Sequence, residues 1–452
     1  MKIQLQNWWE GVRTSFWFVP GGLVLIAIGA AHSLIVFDQL IELALIRQFS
    51  FLYFGGPEGA RVILSTLAGS MVTVAGVVFS ITIVALTLAS SQFGPRLLRN
   101  FMQDTGTQYV LGIFIATFIY CLFVLSAVNT EGPKDFVPYL SVNIALVLAV
   151  LNVGVLIYFI HHVSVSIQAD QVVATVYDEL VASIELFFPG PLQHEPDPLV
   201  MPDFVESTTA VRVITATCDG YLQALDDAAL VKAAAQSGCF YDVRFRPGDF
   251  ITRGETLVAV TPCDRTQASS PEPEASDVLE VEAQEIRQAF VCGALRTAEQ
   301  DPEFALNQMV EIALRALSPG INDPFTAMTC LDRLGAVLSL LSCRQFPHPL
   351  RCHEEAQVCC RFRSVSYTGM VNAAFDQIRQ CAASNVAVSI RLLEVLATMA
   401  KHGRTSEQQQ AIGCQAEMVW RAGQKTVTEP EDLREMQSRY QQVTELLRWM
   451  TQ

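Results

Sequence analysis

The stretch VILSTLAGSMVTVAGVVFSITIVALTLASSQ, Val62–Gln92, contains no Asp, Glu, Lys or Arg, and it decides the class of fold. It exceeds the roughly 20 apolar residues that a helix needs to cross about 30 Å of hydrocarbon. Within it Ser65, Gly69, Thr73, Gly76, Ser80 and Thr87 recur at steps of four, four, three, four and seven, so they share one helical face. Small residues at this spacing let helices approach closely inside one subunit. Alternatively, the face lines a narrow, weakly polar pore in an oligomer.

Three more uncharged runs accompany it: Phe16–Phe37, Thr107–Thr130 and Phe136–Ile160. Trp8, Trp9 and Trp17 lie near the first, and Tyr109 and Tyr139 open the third and fourth, where interfacial aromatics belong. The first run is too long for a signal-peptide core and lacks an Ala-x-Ala site, so it is expected to be retained. No ionisable side chain occupies the middle of any run, which argues against a proton relay or an ion-coupled pump. Asn143 and Asn152 read as interhelical hydrogen-bonders, and His32, His161 and His162 as interfacial polar residues. Leu40, Ile41, Leu43, Leu45 and Ile46 suggest an interfacial helix in the first connection. Lys2, Arg13, Arg96 and Arg99 place both termini in the cytoplasm by the positive-inside rule, with Arg47 and Arg61 as opposing charges.

The remainder of the 452 residues has a different texture. The chain is 51% hydrophobic and 17% charged, with a mean hydropathy of +0.33, outside the range of an ordinary soluble domain. Residues 1–165 hold seven bases and seven acids, which leaves 23 bases and 38 acids beyond, so the entire net charge of −15 sits there. An acidic body argues against nucleic acid and against docking on anionic lipid.

The fourth span is expected to continue as a stalk. Ile167, Val172, Val176, Leu180, Ile184 and Leu186 keep an apolar stripe, and Pro189-Gly190-Pro191 ends it. Val211–Val260 reads as short strands with a helix at Ala224–Ala235, punctuated by the turns Arg246-Pro247-Gly248-Asp249 and Arg253-Gly254-Glu255. This pattern resembles the barrel-sandwich half-motif of biotinyl and lipoyl domains. It departs from them where the modified lysine would stand, because Lys232 falls in the inserted helix. Pro262–Asp277 is a linker by composition. From Val278 onward the periodicity is helical. Asp301-Pro302 and Asp323-Pro324 each look like an N-cap followed by proline at the first helical position, and Ser318-Pro319-Gly320 ends the helix between them. Arg296, Asp301, Arg315, Asn322 and Asp323 therefore either cap and lock a helix pair or converge on a polar pocket or subunit contact.

Three motifs are recognisable: RTAEQDPEFAL (Arg296–Leu306), RALSPGINDPFTA (Arg315–Ala327) and SQFGPRLLRNFMQD (Ser91–Asp104). Together they closely resemble the bacterial membrane family known as domain of unknown function 2254. The resemblance covers nearly the whole chain and implies a multipass membrane protein, with no activity to carry across.

Of twelve cysteines, Cys121 lies in a span and eleven follow residue 217. In a reducing cytoplasm these eleven are expected to stay thiols. Cys343, His348, Cys352, His353, Cys359 and Cys360 cluster in sequence but lack the paired Cys-x2-Cys knuckles of a zinc site, so no metal is expected. Nucleotide-binding and hydrolase motifs are missing from the sequence, so neither a catalytic residue nor a cofactor is expected.

The sequence therefore predicts an α-helical membrane protein of four transmembrane helices with a cytoplasmic α+β part. The expected organisation is a membrane module at 1–163, a stalk at 164–192, a small barrel-sandwich-like β module at 193–262, a linker at 263–277 and a helical domain at 278–452. The leading functional expectation is a homo-oligomeric, channel-like protein of the inner membrane. A membrane-tethered sensor or scaffold is the alternative, and an enzyme comes third.

Overall fold

The computed structural model describes residues 17–40, 56–94, 104–128, 136–192, 212–262, 276–298, 300–352 and 359–450. The chain divides into two compact units at Val172/Val173. Lys2, Arg13, Arg96, Arg99, His353 and the interfacial helix expected beyond Leu40 lie outside the described residues.

The first unit is built from α1 (Phe18–Leu40), α2 (Pro57–Phe93), α3 (Thr105–Ala127) and α4 (Tyr139–Ser166). Helix α3 is the hub, packing on α1, α2 and α4. Gly112 permits its approach to α1, since a Cβ there would stand 2.7 Å from Leu23 Cδ1 and 3.0 Å from Pro20 Cα. On the other side Asn152 of α4 donates to Thr117 Oγ1 of α3 at 3.0 Å, the interhelical bond anticipated for it. Asn143 donates to the Tyr139 carbonyl one turn back in its own helix.

Two carboxylates tie the helix ends. A helix N-terminus leaves backbone N–H groups without intrahelical partners, and in an apolar setting each costs several kcal/mol unless satisfied. Asp38, on α1, accepts from Leu140 N and Ser141 N at 3.0 Å each and from Ser141 Oγ at 2.7 Å, so it caps α4 from a neighbouring helix. Asp104 caps α3, accepting from Thr107 N at 3.0 Å and Thr107 Oγ1 at 2.6 Å. His162 of α4 joins Asp104 at 2.8 Å, with its ring stacked on Tyr158. Gly106 is required at this junction because a Cβ would meet the His162 ring.

The expected continuous stalk is interrupted. Helix α4 ends at Ser166, Ile167 and Gln168 form a turn, and α5 (Ala169–Phe187) begins anew. Its stripe Val173, Val176, Leu180 and Ile184 is buried. The Pro-Gly-Pro segment after it pairs with 343–345, through Gln345 N to Gly190 O at 2.8 Å and Leu192 N to Cys343 O at 2.8 Å.

The second unit contains two sheets. In chain order come β1 (Arg212–Thr215), β2 (Gly220–Leu225), α6 (Asp227–Ser237), β3 (Cys239–Val243), β4 (Phe250–Ile251), β5 (Thr256–Pro262), α7 (Ser276–Gln288) and β6 (Phe290–Gly293). The helices α8 (Pro302–Ala316) and α9 (Pro324–Leu341) precede β7 (Leu350–Cys352) and β8 (Cys359–Arg361). Helices α10 (Tyr367–Cys381), α11 (Val386–Ala400), α12 (Ser406–Thr426) and α13 (Pro430–Met450) complete the described chain. One sheet has the order β1-β5-β3-β8-β7 and the other β4-β2-β6. Ile214, Leu222, Tyr241, Ile251, Val258 and Phe290 from both sheets share one buried cluster.

Strands β6, β7 and β8 correct the expectation that everything beyond Val278 is helical. Each is only three or four residues long, too short to show a period of two. They form because β2 and β3 present open edges. Strand β3 lies parallel to β8, where Asp242 and Arg361 pair in register and Arg361 Nε donates to Asp242 at 2.6 Å.

Candidate functional site

The small-residue face of α2 is the first candidate. Helix α2 buries Leu64, Ala68, Met71, Ala75 and Val78, at helical spacing, against its neighbours. Ser65, Gly69, Thr73, Gly76, Ser80 and Thr87 lie off that stripe and are all exposed. A Cβ added at Gly69 or Gly76 would meet nothing within 4 Å. Tight packing inside the subunit is thus corrected: the intramolecular contact uses the alternating small and large apolar stripe instead. The hydroxyls are satisfied within the helix, with Thr73 donating to Gly69 O at 2.8 Å, Ser80 to Gly76 O at 2.9 Å and Thr87 to Ile83 O at 2.8 Å. The face can therefore meet another helix without stranding a polar group.

The second candidate, Arg296 to Asp323, separates into two arrangements. Asp323 caps α9, accepting from Phe325 N and Thr326 N at 3.1 Å each and from Thr326 Oγ1 at 2.5 Å. The hydrogen bond from Thr326 lowers the Asp323 carboxyl pKa below its ordinary value, outweighing partial burial. Asn322 sits at φ 50°, a left-handed conformation that Asn tolerates, and Asp323 N returns to Ala316 O at 2.7 Å. Ser318–Asp323 thus folds the chain back between α8 and α9. Arg315 makes an ion pair with Glu311 of its own helix at 3.6 Å.

Arg296 and Asp301 belong elsewhere. The Asp301 side chain makes no cap hydrogen bond to α8; it is nearly fully buried and accepts from Arg296 Nε. The expected Asp301 cap is thereby corrected: the carboxylate is taken up by a charge-assisted hydrogen bond from the Arg296 guanidinium. Beside it Arg246 Nη2 donates to Glu303 Oε1 at 2.8 Å, and Arg246 N donates to Asp249 Oδ2 at 3.1 Å. Gly248, at φ +94°, lies so close to Asp301 that no Cβ fits. Burial opposes the Arg296 charge, but Asp301, Glu303 and Asp249 outweigh it and raise its pKa above the ordinary value. Arg296, Asp301 and Glu303 thus fasten the Arg246–Asp249 turn of the β module to the start of α8. Arg246, Asp249 and Glu303, three of the five members of this network, were not among the candidate residues that the sequence singled out. Nothing in the sequence distinguishes Arg246-Pro247-Gly248-Asp249 from an ordinary turn.

Among the described residues the cysteine–histidine cluster does not gather as one group. His348 Nδ1 is engaged with Leu350 at 3.0 Å, and Cys360 is buried in the β core. Cys352 is disulfide-bonded, which corrects the expectation that all eleven distal cysteines remain thiols. Strand pairing sets Cys359 directly opposite Cys352, a register that adjacent strands impose and spacing alone did not reveal.

Five helices among the described residues, α1, α2, α3, α4 and α9, are long and apolar enough to cross a membrane. With a small two-sheet region beside them, they define a mostly helical membrane protein with an α+β part. The chain belongs to the family described as predicted membrane protein (DUF2254), whose model matches residues 13–398. It is similar to an uncharacterised protein of Mycobacterium tuberculosis, strain H37Rv, and to another of Mycobacterium bovis. Each is 31% identical over 430 residues, covering 93% of this chain and 78% of the relative. No solved structure matches.

Proposed function

We propose that the chain is a homo-oligomeric, channel-like protein of the inner membrane, with four spans and both termini in the cytoplasm. The observation that carries this reading is the open Ser65–Thr87 face of α2. A helix that faces only lipid has no use for glycine and hydroxyl side chains in register, whereas a helix at a shared axis does. The basic residues Lys2, Arg13, Arg96 and Arg99 support the orientation.

Helix α9 is assigned to the soluble body rather than to a fifth span. Supporting this, Cys330, Leu331, Leu334, Val337, Leu338 and Leu341 are all fully buried by other elements of the second unit. It also carries Asp332, bound in a fork by Arg391 at 2.7 and 2.8 Å, and Arg333, which lies over the Tyr177 ring at 4.7 Å. We read the β module as a barrel-sandwich half-motif, a reading supported by the Gly248 and Gly254 turns on either side of β4, with Lys232 on α6. We assign the soluble body a regulatory role, with no catalytic activity or cofactor.

Native mass spectrometry and planar-bilayer recording of the full chain in lipid test the reading. It expects a ring of three or more copies and a conductance that Gly76→Leu alters. A monomer without conductance under voltage, tension or pH change overturns it.

A further inference from the structure

The second unit holds a cavity of about 470 Å³ where the end of α5, the β module, the start of α8 and the segment around β7 and β8 meet. Among the described lining residues three arginines, Arg246, Arg351 and Arg363, stand beside one carboxylate, Asp227, and they are ion-paired to Glu303, Asp227 and Asp249 respectively.

The guanidinium groups have capacity to spare. Arg246 uses Nη2 on Glu303, Arg363 uses Nη1 on Asp249 at 3.3 Å, and Arg351 uses Nη1 on Asp227. Each guanidinium has five N–H donors in a fork that suits phosphate or carboxylate oxygens. Burial also works against the Arg351 charge and draws its pKa below the ordinary value, so an added anion there would be met favourably. The lining is also apolar, with Leu186 and Phe187 at the end of α5 and Phe362 beneath Arg351, whose guanidinium stands 4.9 Å from the ring.

We propose that this cavity binds an amphipathic organic phosphate, its phosphoryl group on Arg246, Arg351 and Arg363 and its ring or acyl part against Leu186, Phe187 and Phe362. The volume lies within the range of small-molecule sites, and the pairing of a few convergent polar groups with an apolar wall is their usual construction. Such a ligand would bridge the end of α5 to the β7–β8 side of the sheet. It would thereby give the soluble unit a chemical input. The proposal does not depend on the reading of the α2 face.

The test is titration calorimetry of the full chain in lipid nanodiscs with 1-naphthyl phosphate, against 1-naphthol and inorganic phosphate, with empty nanodiscs subtracted. The expected result is saturable binding of 1-naphthyl phosphate at one site per chain, at least about tenfold tighter than either control. Arg363→Gln and Leu186→Asp, both at exposed positions, should each weaken it by about tenfold while the melting temperature holds. Equal binding of 1-naphthol would show simple apolar adsorption, and equal binding of inorganic phosphate would show no role for the apolar wall. Either result overturns the proposal, as does affinity unchanged in both variants or no saturable binding.

Discussion

Helices α2 and α9 pass the same test of length and hydropathy, yet the chain treats them differently. Over its most apolar window α2 is 22% buried and α9 is 50% buried. Their glycines show the contrast most directly. Gly335 of α9 lies against the Val395 side chain of α11, with no room for a Cβ, whereas Gly69 and Gly76 of α2 face open space. Gly112 of α3 behaves like Gly335. Apolarity therefore says that a helix must be covered, while the arrangement of its neighbours says by what. Helix α9 is covered by its own unit. The open face of α2 awaits lipid or another copy.

The comparison breaks first in the core of α9. Leu334→Asp places a carboxylate at a fully buried position, with an expected cost of about 5 kcal/mol or more. Loss of the cooperative thermal transition and rapid proteolysis of the second unit should report it. A mild effect would mean that Leu334 is open to water rather than enclosed by its own unit. Next, Gly112→Leu should cost about 1–3 kcal/mol by forcing α1 from α3, read as a lower melting temperature in detergent. Gly76→Leu should leave that temperature unchanged and alter only the oligomer. Equal destabilisation by the two variants would erase the distinction between enclosed and open glycines.

Smaller effects sharpen the soluble side. Asp323→Ala removes the α9 cap and should cost about 1 kcal/mol. Because the folded pKa of Asp323 lies below its ordinary value, its contribution is fully present above the unfolded pKa and disappears as pH falls through the folded one. The gap in melting temperature between wild type and Asp323→Asn should therefore close in that acidic window and persist at neutral pH. Smallest is Asp332→Asn, which leaves half of the exposed fork to Arg391 and should cost no more than about 1 kcal/mol by chemical denaturation.

Features that depend on short sequence separation were legible. Asp323 caps as its Asp-Pro context indicated, and the tight reversal at Ser318–Asn322 follows from Pro-Gly and an Asn at positive φ. Asp301 has the same Asp-Pro context but a different role, because Arg296 and Gly248 come to it in space. Asp38 follows directly on the uncharged run Phe16–Phe37, yet its partners Leu140 and Ser141 lie about a hundred residues away. Strands β6–β8 escaped for a related reason, since such short segments become strands only beside an existing edge.

The sequence by itself determined that this protein has long apolar helices, an acidic α+β remainder and membership of its family. These properties rest on composition, local periodicity and contiguous motifs, all carried by nearby residues. Only the tertiary structure decided which face of α2 stays open, that Asp301 fastens a turn rather than a helix end, and that Arg246 joins Arg351 and Arg363 around one cavity. Each depends on which distant surfaces meet, and burial and ion pairing act through space rather than along the chain.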